Sequence, residues 1–367
     1  MKRDGCIAAA AVVALGICGS VSAEDGYVLC ASPSAVLPGG TITVTWSAPA
    51  DQVHSSDWIG MFRVGNPNTI SFTWIYTGGQ PRGEADFTAP VELGIVVEFR
   101  YLPLNGFIHV ATSNPVTVFS GVATPPTGPE VLVFPGGHLG SDCAVITTLE
   151  SAGFAVTVGV GLPAWDGTQA NLNGFAVVVV LNNGNWTQGW PVGGIQALAS
   201  FMANGGGVVT GEWFLWNAWT HGIEEAKALS PIQSYCGFNH APSTTYTVAT
   251  PDPIMTDGLP PSFSFSLTDF AGSESCLVAR SEATVFFTSS NAGGAPGGAP
   301  GVVGWDVFPG RFLSFSTLLS QTELEDANYR RLLTNAVAWA AEGCGTLAPP
   351  FGELSGFIDC MTGPAFP

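Results

Sequence analysis

Residues 175–183 read FAVVVVLNN, with four consecutive valines inside an unbroken apolar run. Successive side chains of a β-strand point to opposite faces, so a strand with one wet face alternates apolar and polar residues. Four valines in a row leave no polar face. A strand here must be covered on both sides, the situation of a parallel strand between helical layers.

The flanking segments supply the rest of such a layer. EVLVF (130–134) and FAVTVGV (154–160) predict strands, and CAVITTLESAG (143–153) predicts an intervening helix with Asp142 as its N-cap. GGIQALASFMANGGG (193–207) predicts a helix closed by glycines, and VVTG follows as a fourth strand. After a less regular stretch, ATVFFTSS (283–290) and GVVGWDVFPGRFLSFST (301–317) add strands, with NAGGAPGGAP (291–300) as a hairpin tip. Residues 323–343 form an amphipathic helix, acidic at its start and ended by Gly343. This alternation predicts an α/β, flavodoxin-like, doubly wound parallel sheet over 130–343.

The first part of the chain has another period. Short apolar runs such as TITVTWSAP (41–49), DWIGMFRVG (57–65) and IVVEFRYL (95–102) are separated by Gly, Pro and Asn. They predict an antiparallel, immunoglobulin-like β-sandwich over 24–121. Trp46, Trp58 and Trp74 are expected in its core rather than on a ligand platform. Residues 122–129 read as a linker, and 344–367 as a C-terminal tail.

Residues 1–23 have the make-up of a secretory signal peptide: Lys2 and Arg3, an apolar stretch, then VSA before Glu24. The expected location is therefore extracellular or periplasmic, without membrane insertion. The chain carries 10 Lys and Arg against 28 Asp and Glu, a net charge of −18. Beyond residue 23 its single lysine is Lys227. Phosphate binding needs clustered basic side chains, so nucleic acid is excluded as a partner. Six cysteines follow the signal, and Cys236–Cys276 and Cys344–Cys360 are the expected disulfides. No pair has zinc-ligand spacing, so no metal or other cofactor is expected.

Two resemblances are carried by particular segments. DWIGMF, Trp74 and Tyr76, and EFRYL followed by ATSNPVTV resemble SKICH-like sandwich domains, also found at the front of plant-type purple acid phosphatases. That resemblance implies an accessory or interaction domain. GFAVVVVLNN, FMANGGGVVTGEW, PDPIMTDGLP, GWDVFPGRFLSFST and RRLLTNAVAWA follow the order of class I glutamine-amidotransferase-like domains, the ThuA-like (trehalose-utilisation) branch in particular. Active amidotransferases have a cysteine at the strand-to-helix elbow, where this chain reads TGEW (210–213). The ThuA-like branch commonly has a histidine after the strand where Leu318 and Leu319 stand here. Thiol chemistry is thereby excluded. The tail segment FGELSGFIDCMTGP is similar to the closing half of a dockerin, without the calcium loop.

Ligands of open α/β sheets bind outside the carboxyl ends of the strands. The residues expected there are Gly136 and Gly137, whose amides would cradle an anion, then Asn182, Asn183, Trp186, Trp190 and Trp213. Glu212 in the elbow is the candidate acid or base, with His138 or His221 beside it and Asp166 or Asp306 as a second carboxylate. For Trp213, Trp216 and Trp219, three residues apart, core packing is the commoner explanation of such a stripe. The clustering of indoles nonetheless favours a glycan or cell-envelope polymer as partner. The expected function is a secreted, non-catalytic binding protein, with a sugar-processing hydrolase or isomerase as the alternative.

Overall fold

The computed structural model describes residues 26–92, 94–118, 128–168, 172–182, 184, 187–291, 299–307 and 309–342. The expected signal peptide, most of the linker, and the tail with Cys344 and Cys360 lie outside the described residues, as do Asn183 and Trp186.

Nine strands make up the N-terminal part: β1 (Val28–Ser32), β2 (Ala35–Val36), β3 (Thr41–Ser47), β4 (Trp58–Arg63), β5 (Thr73–Tyr76), β6 (Arg82–Thr88), β7 (Ile95–Leu102), β8 (Ala111–Thr112) and β9 (Val116–Val118). One sheet has the order β1-β3-β6, and the other β2-β9-β7-β4-β5 with β8 on β7. Both sheets feed one core, in which Ile42 and Val44 of β3 meet Ile59, Val97 and Phe99 of the second sheet. All pairings are antiparallel except β2 with β9, which is parallel. Trp46 is buried opposite Gly83, where a β-carbon would lie 2.3 Å from the indole. The three tryptophans divide: Trp46 and Trp58 are buried, whereas Trp74 on the edge strand is 49% exposed.

The C-terminal part is built on a nine-stranded sheet. Its elements are β10 (Glu130–Phe134), α1 (Leu139–Ser151), β11 (Ala155–Val158), β12 (Val177–Val180), α2 (Val192–Ala203), β13 (Gly207–Thr210), α3 (Glu212–Thr220), α4 (Glu224–Leu229), β14 (Ile232–His240), β15 (Ser243–Val248), β16 (Ser262–Ser266), β17 (Ser273–Ala279), β18 (Thr284–Ser289), β19 (Ala299–Val307), β20 (Gly310–Phe315) and α5 (Ala327–Ala341). The order is β11-β10-β12-β13-β20-β19-β18-β15-β16. The first five strands are parallel and the last four antiparallel, so the sheet is mixed rather than wholly parallel.

The valine run behaves as its composition demands. Val177 and Val179 enter the core beneath α1 and α5, while Val178 and Val180 enter the one beneath α2 and α3. Fully burying a side chain of this size contributes about 1.5–3 kcal/mol. Gly207 opens β13 where α5 crosses, since a β-carbon there would sit 2.2 Å from the Ala340 carbonyl.

Two local expectations change. Helix α1 starts at Leu139 with His138 as its N-cap, so Asp142 lies inside the first turn. The stretch read as irregular contains four strands; β14 and β17 form a separate two-stranded sheet closed by the expected Cys236–Cys276 bridge. In β16, SFSFS alternates exposed serines with buried Phe263 and Phe265.

A second disulfide joins the two parts. Cys30 of β1 bonds Cys143 at the start of the second turn of α1. Two helical turns later, Glu150 accepts hydrogen bonds from Ser32 Oγ at 2.8 Å and Ser34 N at 3.1 Å. The bridge closes a sequence separation of 113 residues. A cross-link closing so long a loop typically stabilises by 2–4 kcal/mol, mainly by restricting the unfolded chain. Replacing Cys30 and Cys143 together by serine is expected to cost about 3 kcal/mol in a non-reducing urea melt. An unchanged midpoint would show that noncovalent contacts alone hold the two parts together.

Candidate functional site

The carboxyl ends of β10, β12, β13 and β20 lie side by side. They deliver Gly136–His138, Asn182, Gly211–Trp213 and Thr317–Ser320 to one edge of the sheet. A loop carrying Phe270 reaches the same edge. Its ring centroid is 5.4 Å from that of His138 and 5.7 Å from that of Trp213. Asp269, beside it, accepts from Ser320 Oγ at 2.6 Å. Phe270, Ala271 and Gly272 have φ of 50°, 61° and 70°. Left-handed backbone costs a non-glycine residue roughly 1–2 kcal/mol, so packing must hold this loop in place.

The expected anion cradle is already filled by the chain. Gly136 N donates to Asp142 Oδ1 at 2.7 Å and Gly137 N to Asp142 Oδ2 at 3.1 Å. The helix places Asp142 one turn inside its N-terminus, where a carboxylate also meets the positive end of the helix dipole. Burial pushes its pKa up to about 6 against these hydrogen bonds and the nearby His138. The two glycines are therefore framework residues, not free ligand donors. Removing the carboxylate strands two amides, so Asp142→Ala is expected to lose about 2–3 kcal/mol of stability by denaturant melt.

Glu212 does not stand above the sheet edge. Gly211 is extended, and Glu212 simply begins α3 without the positive φ of a strained elbow. Its side chain runs beneath β17, leaving the residue 1% exposed. Glu212 Oε1 accepts from Ser273 Oγ at 2.7 Å. The carboxyls that face it are Glu274 and Glu323, both fully buried, rather than Asp166 or Asp306. Asp166 is exposed and bonded to Thr168. Asp306 pairs with Arg311 at the opposite end of the parallel strands.

The three glutamates anchor one buried polar network. Ser316 Oγ donates to Glu274 Oε1 at 2.6 Å, and Ser320 Oγ, which donates to Asp269, also meets Glu323. Tyr246 OH lies 3.0 Å from Ser316 Oγ and 2.9 Å from Thr317 Oγ1, which in turn meets Tyr329 OH at 2.7 Å. Among the described residues no ion pair reaches these carboxyls, and one oxygen of each lacks a hydrogen-bond partner. Burial without a counter-charge disfavours the ionised form of all three. Burial pushes Glu212 well up, with repulsion from Glu274 and Glu323 adding to it. Burial likewise raises Glu274, and raises Glu323 to about 8.

Neither histidine completes a catalytic pair. His138 caps α1, its Nδ1 lying 2.9 Å from Ser141 Oγ. His221 ends α3, nine residues from Glu212 and so about 13 Å along the axis. Trp190 is buried and stacks on Phe214 at 4.7 Å, so it is a core residue. Asn182 is buried too, its Nδ2 donating to the Trp213 carbonyl at 3.4 Å. Trp213, Trp216 and Trp219 are only half-buried, because α3 turns Phe214, Leu215 and Ala218 to the core instead. Trp213 and Trp216 lie 5.5 Å apart, and Trp216 is 6.1 Å from His221. Phe270, Glu274 and Glu323 went unnoticed in the sequence, where nothing distinguishes them from surface residues. Among the described residues no group of three or more His, Cys, Asp or Glu has metal-holding geometry, and no helix is long and apolar enough to cross a membrane.

No family model matches the chain, and no curated protein matches it. Among solved structures it is similar to a ThuA-like protein from Parabacteroides merdae, at 15% identity and a TM-score of 0.45 over 59% of this chain and 91% of that one. A cytoplasmic protein from Salmonella typhimurium aligns at 14% identity and a TM-score of 0.43, over 58% of this chain and 98% of that one. A purple acid phosphatase from yellow lupin seeds aligns with 28% of this chain and 22% of its own, at 16% identity and a TM-score of 0.21. At such identities and TM-scores these likenesses carry no argument about activity, substrate or location.

The buried acids set a pH dependence. Glu323 titrates in the folded chain near 8, above its ordinary 4.5. The stability tied to its proton is therefore complete below about pH 4.5 and is lost as the pH rises through 8. Melting temperature is expected to be higher at pH 5 than at pH 9. Glu323→Gln, which keeps the shape but cannot ionise, should flatten that slope. Equal slopes in the two proteins would mean that Glu323 is already ionised.

Proposed function

We propose that this chain is an exported, non-catalytic binding protein whose ligand is a glycan or another cell-envelope polymer. On this reading an immunoglobulin-like, SKICH-like sandwich precedes a flavodoxin-like domain of the ThuA-like, amidotransferase-like kind. Support for the latter comes from the motif order in the sequence and the 2-1-3-4-5 order of the parallel strands.

One observation carries the binding reading. At the ligand edge the groups with chemistry are withdrawn, while indoles remain partly accessible. Asp142 occupies the amide cradle, and Glu212 is buried without a histidine. Trp213, Trp216 and Trp219 share the partly buried side of α3, with Trp219 packed against the core beneath α2. Rigid indoles present large apolar area at low entropic cost, which suits the C–H faces of sugar rings. The alternative, a sugar-processing hydrolase or isomerase, draws on the raised pKa of Glu212. A general acid must touch the bond it protonates, and a carboxyl 1% exposed does not.

Co-sedimentation with cellulose, chitin, xylan and peptidoglycan sacculi tests the proposal. The expected result is retention on at least one polymer without release of soluble sugar. Replacing Trp213 and Trp216 together by alanine should weaken retention about tenfold. Release of oligosaccharides by the wild type, abolished in Glu212→Gln, would favour the enzyme instead. No retention on any polymer would defeat the binding reading.

A further inference from the structure

A second aromatic surface lies in the sandwich, away from the sheet edge described above. Trp58, Asn68, Thr69, Ser71, Trp74, Tyr76, Asn105 and Phe107 line a cavity of about 320 Å³, within the usual range for small-ligand sites. Trp74 and Tyr76 sit on edge strand β5 with their rings 5.0 Å apart and nearly perpendicular. Each is about half exposed, and Phe107 is 58% exposed. Trp58, buried behind them, contacts Trp74 at 6.2 Å and Phe107 at 6.0 Å. Aromatic rings of this size normally leave water on folding, so three left at the mouth of one cavity need an explanation.

The polar side of the cavity is held in advance. Buried Asp57 accepts hydrogen bonds from His54 N, Tyr101 OH and Leu104 N, each at 2.9 Å. These bonds fix a turn in which Leu104 and Asn105 are both left-handed, with φ of 57° and 55°. Asparagine tolerates that conformation and leucine does not, so Asp57 compensates local strain. Tyr76 OH donates to Asn105 Oδ1 at 2.9 Å, which orients the amide. Among the described residues Asn105 Nδ2 and the hydroxyls of Thr69 and Ser71 have no hydrogen-bond partner. Asn68, in contrast, is saturated by Arg100, the Phe107 carbonyl and His109.

We infer that this cavity is a sugar-binding site, taking a neutral pyranose unit of a polysaccharide through Trp74, Tyr76 and Phe107, with Asn105, Thr69 and Ser71 on its hydroxyls. No charged side chain lines the cavity, so an anionic or cationic ligand would find no counter-charge. Flat apolar faces beside uncharged donors and acceptors match a ring with C–H faces and equatorial hydroxyls. The inference rests on the polymer-binding reading and assigns it a second location. Leu104 and Ile108, also exposed, do not line the cavity.

The test uses the full chain and soluble cello-, xylo- and chito-hexaose, followed by the indole N–H resonances in NMR. The Trp74 resonance, assigned with Trp74→Phe, is expected to shift saturably with one of the three. Trp74→Ala should weaken that binding about tenfold, and Trp74→Tyr should restore most of it. Trp74 is exposed, so an unchanged melting temperature confirms that the variants fold. Retention on polymer that survives Trp74→Ala with Tyr76→Ala, but is lost with Trp213→Ala and Trp216→Ala, would overturn this site and leave the general reading standing. The opposite pattern would uphold this site and remove the sheet edge as a binding surface. If no hexaose moves the Trp74 resonance, the inference fails. It fails also if sedimentation reveals a dimer that Trp74→Ala dissolves, because the patch is then an interface between copies.

Discussion

Two-sided burial of the parallel strands sets the architecture of the C-terminal part. Each of β10, β12, β13 and β20 sends alternate side chains into two cores, so helices must cover both faces. Helices α1 and α2 cross over between parallel strands, β20 joins in the same direction from its hairpin with β19, and the carboxyl ends come to one edge. Phe134, Val180, Thr210 and Phe315 thus become the roots of four neighbouring loops, and everything at that edge follows from their spacing. The antiparallel extension through β19, β18, β15 and β16 obeys a weaker demand. Its strands alternate, as Phe263 and Phe265 do between exposed serines.

The same burial explains why this edge departs from a catalytic one. A nucleophile elbow works by strain, with a left-handed backbone holding a side chain clear of the sheet. Here the strain has moved to the loop opposite, at Phe270 and Ala271, and the elbow residue lies in ordinary helix. Without that lift the Glu212 side chain enters the interior, where Glu274 and Glu323 already compete for protons. The low dielectric there favours the protonated form over three anions.

What could be read in advance followed from local pattern. The valine run announced its two faces because burial on both sides leaves no polar residue to find. SFSFS carried an equally clear alternation, yet its polar serines and short length hid it among loop-like neighbours. Glu274 and Glu323 carry no local mark, because their burial is created by contacts with strands and helices far along the chain. Trp74 and Trp190 exchanged their expected places for a related reason. Trp190 follows a turn but packs on Phe214, whereas Trp74 belongs to a strand whose neighbour on one side is missing. Edge position is a property of sheet order, which periodicity does not encode. Cys30–Cys143 was equally hidden, since its partners belong to segments with different periods and lie 113 positions apart.

That disulfide gives the two aromatic surfaces a common frame. Strand β1 lies along α1, pinned at the second turn by Cys143 and at the last by Glu150. The N-terminus of α1 is itself part of the sheet edge, through His138 and Asp142. An anchor on the sandwich is therefore transmitted to that edge by one helix and one covalent bond, not only by a linker. For a polymer that repeats the same sugar, two weak sites held at a fixed separation act as one stronger site. Once the first is occupied, the second meets its ligand at high effective concentration. A flexible connection would spread that concentration over many separations, whereas a rigid one would favour chains whose repeat matches the spacing. If both surfaces bind sugar as proposed, the clamp on α1 becomes a condition on ligand geometry.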